Sequence, residues 1–246
     1  MTREDRRNAA VSETLGYILL FGIVTLSMGV IYAIGYPALQ TNMDANVFES
    51  AEQNFIVLQS NMERVAFDQT PVKVLKLKLQ SSSIAVTNDS SISVTTSGGD
   101  SWNYTTGEIV FSKDKKTITY EMGAVFKKYP REATVMVSEP PIYVTSFENT
   151  RVTNVGIVSV DGNSQMSGKG IATVNLRHNS SDMYMSNSAT DVRLLINSTH
   201  ALKWEEYLEE MGFSIDNNAT TSSSVSAYIN NTMLTMSNHS VDVDIS

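Results

Sequence analysis

Between Leu15 and Tyr36 the chain reads LGYILLFGIVTLSMGVIYAIGY, without a charged residue. At about 1.5 Å of rise per residue, roughly twenty apolar residues in a helix cross a ~30 Å hydrocarbon layer. A stretch this long without charge reads as a membrane span rather than the core helix of a soluble domain. Gly16, Gly22, Gly29 and Gly35 would each weaken a soluble helix, but glycine is common in membrane helices, and Tyr17, Tyr32 and Tyr36 lie towards the ends, where aromatic rings favour the interface. Arg3, Arg6 and Arg7 precede the stretch, and no Lys or Arg follows it until Arg64. The positive-inside rule therefore places the N-terminus in the cytoplasm and everything after Pro37 outside the cell membrane. A cleaved secretory signal has a shorter apolar region, about 7–15 residues, followed by a small-residue junction. Here the region is longer and runs into Gly35-Tyr36-Pro37, so the reading is a retained, single-pass anchor.

The rest of the 246 residues is long enough to bury a core of its own. There is no cysteine, hence no disulfide framework and no thiolate chemistry, and a net charge of −8 argues against nucleic-acid binding. The expected division is a basic leader over 1–14, the membrane helix over 15–36, an amphipathic stalk helix over 37–70 and an extracellular β-rich domain over 71–246.

Pro37 is expected to break or kink the first helix. A second helix then runs from about Ala38 to Asp68. Phe48, Ala51, Phe55, Leu58, Met62 and Val65 recur at spacings of three and four, with Glu49, Glu52, Gln53, Gln59 and Glu63 off that stripe. Thr70-Pro71 ends it. Short strands follow: Val72–Leu79 with its lysines outward, Ile84–Thr87, Ile92–Thr96, Trp102–Thr105, Glu108–Ser112 and Thr117–Met122, with Val125 and Phe126 extending the series. Ala133–Val137 and Ile142–Phe147 flank Glu139-Pro140-Pro141, which marks a crossing between strands. Val155–Val160, Ile171–Leu176 and Val192–Ile196 read as strands, the last two around a polar stretch from His178 to Thr190. Ser198 or Thr199 can cap a helix through Met211 that ends at Gly212. Val225–Ile229, Met233–Met236 and Val241–Ile245 close the sheet. The fold class is thus α+β: a transmembrane helix, a helical stalk, and a mainly antiparallel, sandwich-like β domain with one short helix in its C-terminal half.

The segment Arg6-Arg7-Asn8-Ala9-Ala10-Val11-Ser12-Glu13-Thr14-Leu15-Gly16 resembles the N-terminal region of archaeal type IV pilin-like proteins, with a short basic leader, a small-residue junction, a Val-Ser pair and a glycine-containing apolar helix. The resemblance covers about the first forty residues. It implies an outward-facing membrane protein, trimmed by a prepilin peptidase at the Asn8, Ala9, Ala10 junction and assembled with other pilin-like subunits. Cutting before Ala9 puts Glu13 fifth in the mature chain, as in many pilins. Cutting before Ala10 gives the better junction and puts it fourth. Asn8 stands where such leaders usually carry Gly or Ala. In an assembled filament Glu13 would pair with the N-terminal amine of a neighbouring subunit; on its own it is an acidic residue in a first helical turn. Farther along, Tyr120-Glu121-Met122-Gly123-Ala124-Val125, then Ser138-Glu139-Pro140, then a Trp-containing helix after a strand is similar to a group of archaeal surface proteins with pilin-like N-termini. That likeness reaches most of the chain and implies no activity.

Signs of chemistry are sparse. His178, His200 and His239 lie far apart in sequence, and no cluster has metal-ligand spacing. Asp242 and Asp244 alternate as a solvated strand face does, rather than as calcium ligands. No nucleophile elbow, phosphate-binding glycine loop or His-Glu-x-x-His appears. Glu205, Glu206, Glu209 and Glu210, beside His200 and Lys203, read as the charged face of a helix. The expectation is a non-enzyme without catalytic residue, metal or cofactor. Asn-x-Ser/Thr triplets begin at Asn88, Asn103, Asn179, Asn197, Asn218, Asn230 and Asn238, all on the expected outer side and so candidates for N-glycosylation. Gly22 and Gly29, one heptad apart with Thr25 and Ser27 between, offer a small-residue face for helix packing. The function expected is a pilin-like structural or adhesion component, its partners the lipid bilayer and like subunits. The alternative is a solitary anchored domain that binds a component of the cell envelope.

Overall fold

The computed structural model describes residues 3–68, 70–148 and 150–246, and for residues 3–14 and Phe147 the backbone alone. The chain forms two compact units, Met1–Val47 and Phe48–Ser246.

In the first unit, helix α1 (Arg3–Val30) runs into a five-residue π-helical stretch, Ile31–Gly35, and then into α2 (Tyr36–Ala66). The break expected at Pro37 is instead a widened turn just before it. Proline has no N–H and its ring crowds the carbonyl four residues back. The π turn shifts the ladder, so that the Tyr36 N–H donates to the Ile31 carbonyl, five residues back.

The second unit begins in α2. Its heptad stripe is buried throughout: Phe48, Ala51, Phe55, Leu58, Met62 and Val65 are at most 2% exposed. The Phe55 ring meets Phe111 edge-on at 6.5 Å, and Phe48 packs against Tyr129 at 5.4 Å. Gln59, expected off the stripe, is buried with it. Its amide donates to the carbonyls of Gly123 (2.7 Å) and Glu139 (2.9 Å), which ties the helix to two loops. Glu52 pairs with Lys127 at 2.8 Å.

The strands are β1 (Val72–Thr87), β2 (Ser91–Thr96), β3 (Ser101–Thr105), β4 (Glu108–Lys113), β5 (Lys116–Glu121), β6 (Ala124–Lys128), β7 (Val135–Ser138), β8 (Ile142–Phe147), β9 (Thr150–Asp161), β10 (Gln165–Met185), β11 (Thr190–Asn197), β12 (Ser214–Ile215) and β13 (Ser224–Ile245); helix α3 (Ala201–Glu210) follows β11. They form one sheet, ordered β3-β2-β11-β13-β10-β1-β4-β5-β6-β7, with β12 and β9 also on β13, and β8 on β9. All pairs are antiparallel except β9 with β13. β13 joins the two parts of the sheet: its first half pairs with β11 and its second lies between β9 and β10. Residues of β2, β11 and α3 share a core with residues of β6, β8 and β9, so the sheet folds back on itself around Trp204, Leu208 and Phe126.

Several expected breaks turn out to be bulges. β1 continues through Ser81, which has φ 58° and shifts the register, rather than stopping at Leu79. The polar stretch after His178 extends β10 to Met185, and three expected C-terminal strands are the single strand β13. Cross-strand pairing and burial against later elements override the local polar signal. At Gly107 (φ 63°) a Cβ would stand 2.3 Å from the Val160 carbonyl oxygen, so β4 begins where only glycine lets β9 approach.

Candidate functional site

Among the described residues there is one helical run long and apolar enough to span a membrane, lying within Leu15–Ala66. From Leu15 to Met43 every large apolar side chain is at least half exposed, and no residue before Phe48 whose side chain is described is buried. Gly22 and Gly29 are open, with nothing within 4 Å of where a Cβ would stand. Thr25 and Ser27 turn their hydroxyls back onto the Phe21 and Ile23 carbonyls at 2.8 and 2.7 Å, which satisfies both groups within the helix. That is the condition a hydrocarbon environment sets. The side chains of Asn8, Ala9, Ala10 and Glu13 lie outside the described residues.

Within the β unit the feature least expected from the sequence is a buried row of oxygen-bearing side chains. Register places Thr87 (β1) beside Glu108 (β4), and Glu108 beside Glu121 (β5). Glu108 is 4% exposed and Glu121 is 0%. Glu121 accepts from Ser198 Oγ at 2.8 Å and from Trp204 Nε1 at 3.2 Å. Oε1 of Glu108 and Oγ1 of Thr87 have no hydrogen-bond partner among the described residues. Burial, with Asp89 nearby, pushes the Glu108 carboxyl up to about 7; burial, with Glu108 nearby, pushes Glu121 up to about 8 against the help of its two donors. Two like charges without water favour keeping a proton on the pair. The partners of Glu121 come from 77 and 83 residues away, so no local pattern marks it as buried. Beside it, His200 stacks on Phe126 at 4.5 Å, with neither ring nitrogen partnered among the described residues. Burial, then the Lys128 charge, lowers its pKa to about 4, so the ring is neutral at pH 7. Ser198 accepts the His200 N–H at 2.9 Å, and α3 starts from that turn.

The β10–β13 register brings together two histidines that lie 61 positions apart in sequence (178 and 239). His178 Nε2 and His239 Nδ1 both contact Ser181 Oγ, at 2.8 and 2.7 Å. Burial first, then the His178 charge, lowers the His239 pKa. The arrangement gives a hydroxyl two imidazole neighbours, but no hydrogen-bonded carboxylate orients either ring among the described contacts, as a nucleophile–base pair requires. Asp242 is taken up by Arg177 (2.8 Å) and Asn179 (2.9 Å). Asp242 and Arg177, with Asp161, Asn163 and Asp244, line an open cleft of about 580 Å³. On α3, Lys203 pairs with Glu206.

Of the asparagines that begin Asn-x-Ser/Thr triplets, Asn88, Asn103, Asn179, Asn197, Asn218 and Asn230 are exposed. Asn238 is 8% exposed and its amide oxygen accepts from Ser159 Oγ at 2.8 Å.

The chain belongs to DUF7289, a family of unknown function whose sequence pattern matches residues 9–244, thus both the anchor-like helix and the whole β unit. Neither the curated proteins nor the solved structures contain a match to it.

Proposed function

We propose that this chain is a single-pass membrane protein of an archaeal cell surface, with its N-terminus cytoplasmic and its β domain outside, serving as a pilin-like structural or adhesion component. One observation carries the reading. A helical run that is apolar from Leu15 to Tyr36 and whose large apolar side chains are exposed as far as Met43 leads along the chain into α2, whose stripe from Phe48 to Val65 forms part of the β domain's core. The arginines at 3, 6 and 7 support the orientation. The open, small-residue face at Gly22 and Gly29 supports close packing with a second apolar helix.

The test is Edman or mass-spectrometric sequencing of the mature N-terminus from native membranes, with electron microscopy of sheared surface filaments. A start at Ala9 or Ala10 and filaments containing this chain are the expected result. An intact Met1 or Thr2 start, with the chain spread evenly as a monomer, refutes assembly and leaves a solitary anchored domain that binds the envelope.

A further inference from the structure

Glycosyl transfer to an Asn-x-Ser/Thr triplet reads two groups, the asparagine amide and the hydroxyl two residues on. On a folded domain both must be reachable, and the seven triplets differ in how far the two groups are buried or hydrogen-bonded. Asn88 is exposed, but Ser90 is 1% exposed, with its hydroxyl tied to Thr106 and the Gly107 carbonyl. Asn230 is exposed, but Thr232 is 0% exposed and bonded to Thr153 at 2.8 Å. Asn238 is itself buried. Asn179 and Ser181 are both exposed, and what sets this triplet apart is engagement of the hydroxyl: Ser181 Oγ is contacted by both His178 and His239, while the Asn179 amide donates to Asp242.

Three triplets remain. Asn103 and Thr105 are both exposed, on β3, which ends the sheet and, among the described residues, pairs only with β2. Asn197 and Thr199 are both exposed where β11 ends; the Asn197 amide donates one bond to Ser91 Oγ at 3.0 Å, and a modified amide keeps the one N–H that this needs. Asn218 is exposed, and Thr220 half-buried with its hydroxyl accepting from the Ser226 N–H at 3.2 Å, in the loop between β12 and β13. An edge strand, a strand end and a loop are also the places where backbone opens locally at least cost. Register places these sites together. Asn103 pairs with Ser93 and Asn197 with Ser91 on the same strand, β2, while Asp216, at the base of the Asn218 loop, is bonded to Arg193 of β11 at 2.6 Å.

We propose that Asn103, Asn197 and Asn218 are N-glycosylated after the domain has folded, and that the glycans cover the part of the sheet built from β3, β2 and β11, including its open edge. This rests on the outward placement proposed above.

The experiment is glycopeptide mass spectrometry on the full-length protein from native membranes, run beside protease treatment of intact cells. Glycan on Asn103, Asn197 and Asn218, with Asn88, Asn179, Asn230 and Asn238 unmodified, is expected. Asn103→Gln, Asn197→Gln and Asn218→Gln should each remove one glycan mass, and the triple variant all of them. Glycan on Asn230 or Asn238 overturns the proposal, because it requires transfer before folding. A bare chain that protease still cuts on intact cells overturns the proposal alone. A bare chain protected in intact cells overturns the outward placement, and the proposal with it.

Discussion

Raising the pH should loosen this domain through the Glu108–Glu121 pair. In the unfolded chain both carboxyls titrate in the ordinary range near 4.5; in the fold they are raised to about 7 and about 8. A raised carboxyl pKa means that the folded state holds protons the unfolded state has lost. The stability this contributes is full below about pH 4.5, falls as pH rises, and is gone above the folded values. Each retained proton is worth about 1.4 kcal/mol per pH unit. With the two values above, roughly 1.7 extra protons are held at pH 6.5 and roughly 0.3 at pH 8.5, so about 3 kcal/mol is lost between them. For a domain of this size that lowers Tm by roughly 5–10 °C. His200 and His239 have lowered pKa values and act with the opposite sign; their effect fades as pH rises through and above the unfolded value of 6.5, so at the low end of this range they offset part of the loss in wild type and variant alike. Part-buried Glu63 is raised by burial and acts with the same sign, equally in wild type and variant. The assay is a thermal melt of the full chain in detergent, followed by near-ultraviolet circular dichroism, for wild type and Glu108→Gln. The variant removes one titrating group and the like charge acting on Glu121, so its Tm should fall about half as far and stand above wild type at pH 8.5. A wild-type Tm that is level or rising from pH 6.5 to 8.5, or a variant with the wild-type slope, refutes the reasoning.

Gln59→Leu should cost roughly 2–4 kcal/mol, because the Gly123 and Glu139 carbonyls both lose a buried donor; denaturant melts of the full chain measure it. Gly107→Ala should cost on the order of 3 kcal/mol or more, since the new methyl meets the Val160 backbone in a left-handed conformation; loss of a protease-resistant core in pulse proteolysis would report it. Leu26→Arg, near the middle of the apolar run, should weaken insertion by roughly 2.5–3.5 kcal/mol and shift the protein into the supernatant of an alkaline carbonate wash. If that variant stays in the membrane pellet like wild type, residues 15–36 are not the anchor.

The two helical patterns were legible because their signals are local. An uncharged run needs no partner to be recognised, and a three–four repeat names its buried face, as Phe48 to Val65 confirms. Gln59 shows the limit. A polar residue beside that stripe reads as solvated, and only the loops at Gly123 and Glu139, 64 and 80 residues away, make it a core residue. Strand positions were legible where alternation is clean, as in Leu75, Leu77 and Leu79. The long strands β10 and β13 were not, because Ser, Asn and His interrupt their apolar alternation and their pairing spans most of the domain. The carboxyl row stayed hidden for the same reason. Thr117-Ile118-Thr119-Tyr120-Glu121 alternates as a strand with one wet face does, and the layer that dries that face is built from Ser198 and Trp204.

β13 also sets an order of events. It pairs with β9, β10, β11 and β12, all of them earlier in the chain, and ties Thr153 to Thr232 and Ser159 to Asn238 across 79 residues. The apolar helix, by contrast, precedes every strand. With the membrane anchor proposed above, a chain made N-terminus first brings its apolar helix to the bilayer early, while β9, β10 and β11 wait with open edges for the strand that will lie between them. Unpaired edges of this kind readily capture a strand from another chain, and tethering to one membrane raises the local concentration of such neighbours. The interval between insertion of the helix and arrival of Ser224–Ile245 is therefore the period in which this protein is most exposed to strand exchange, and rapid delivery of its C-terminal segment protects the fold.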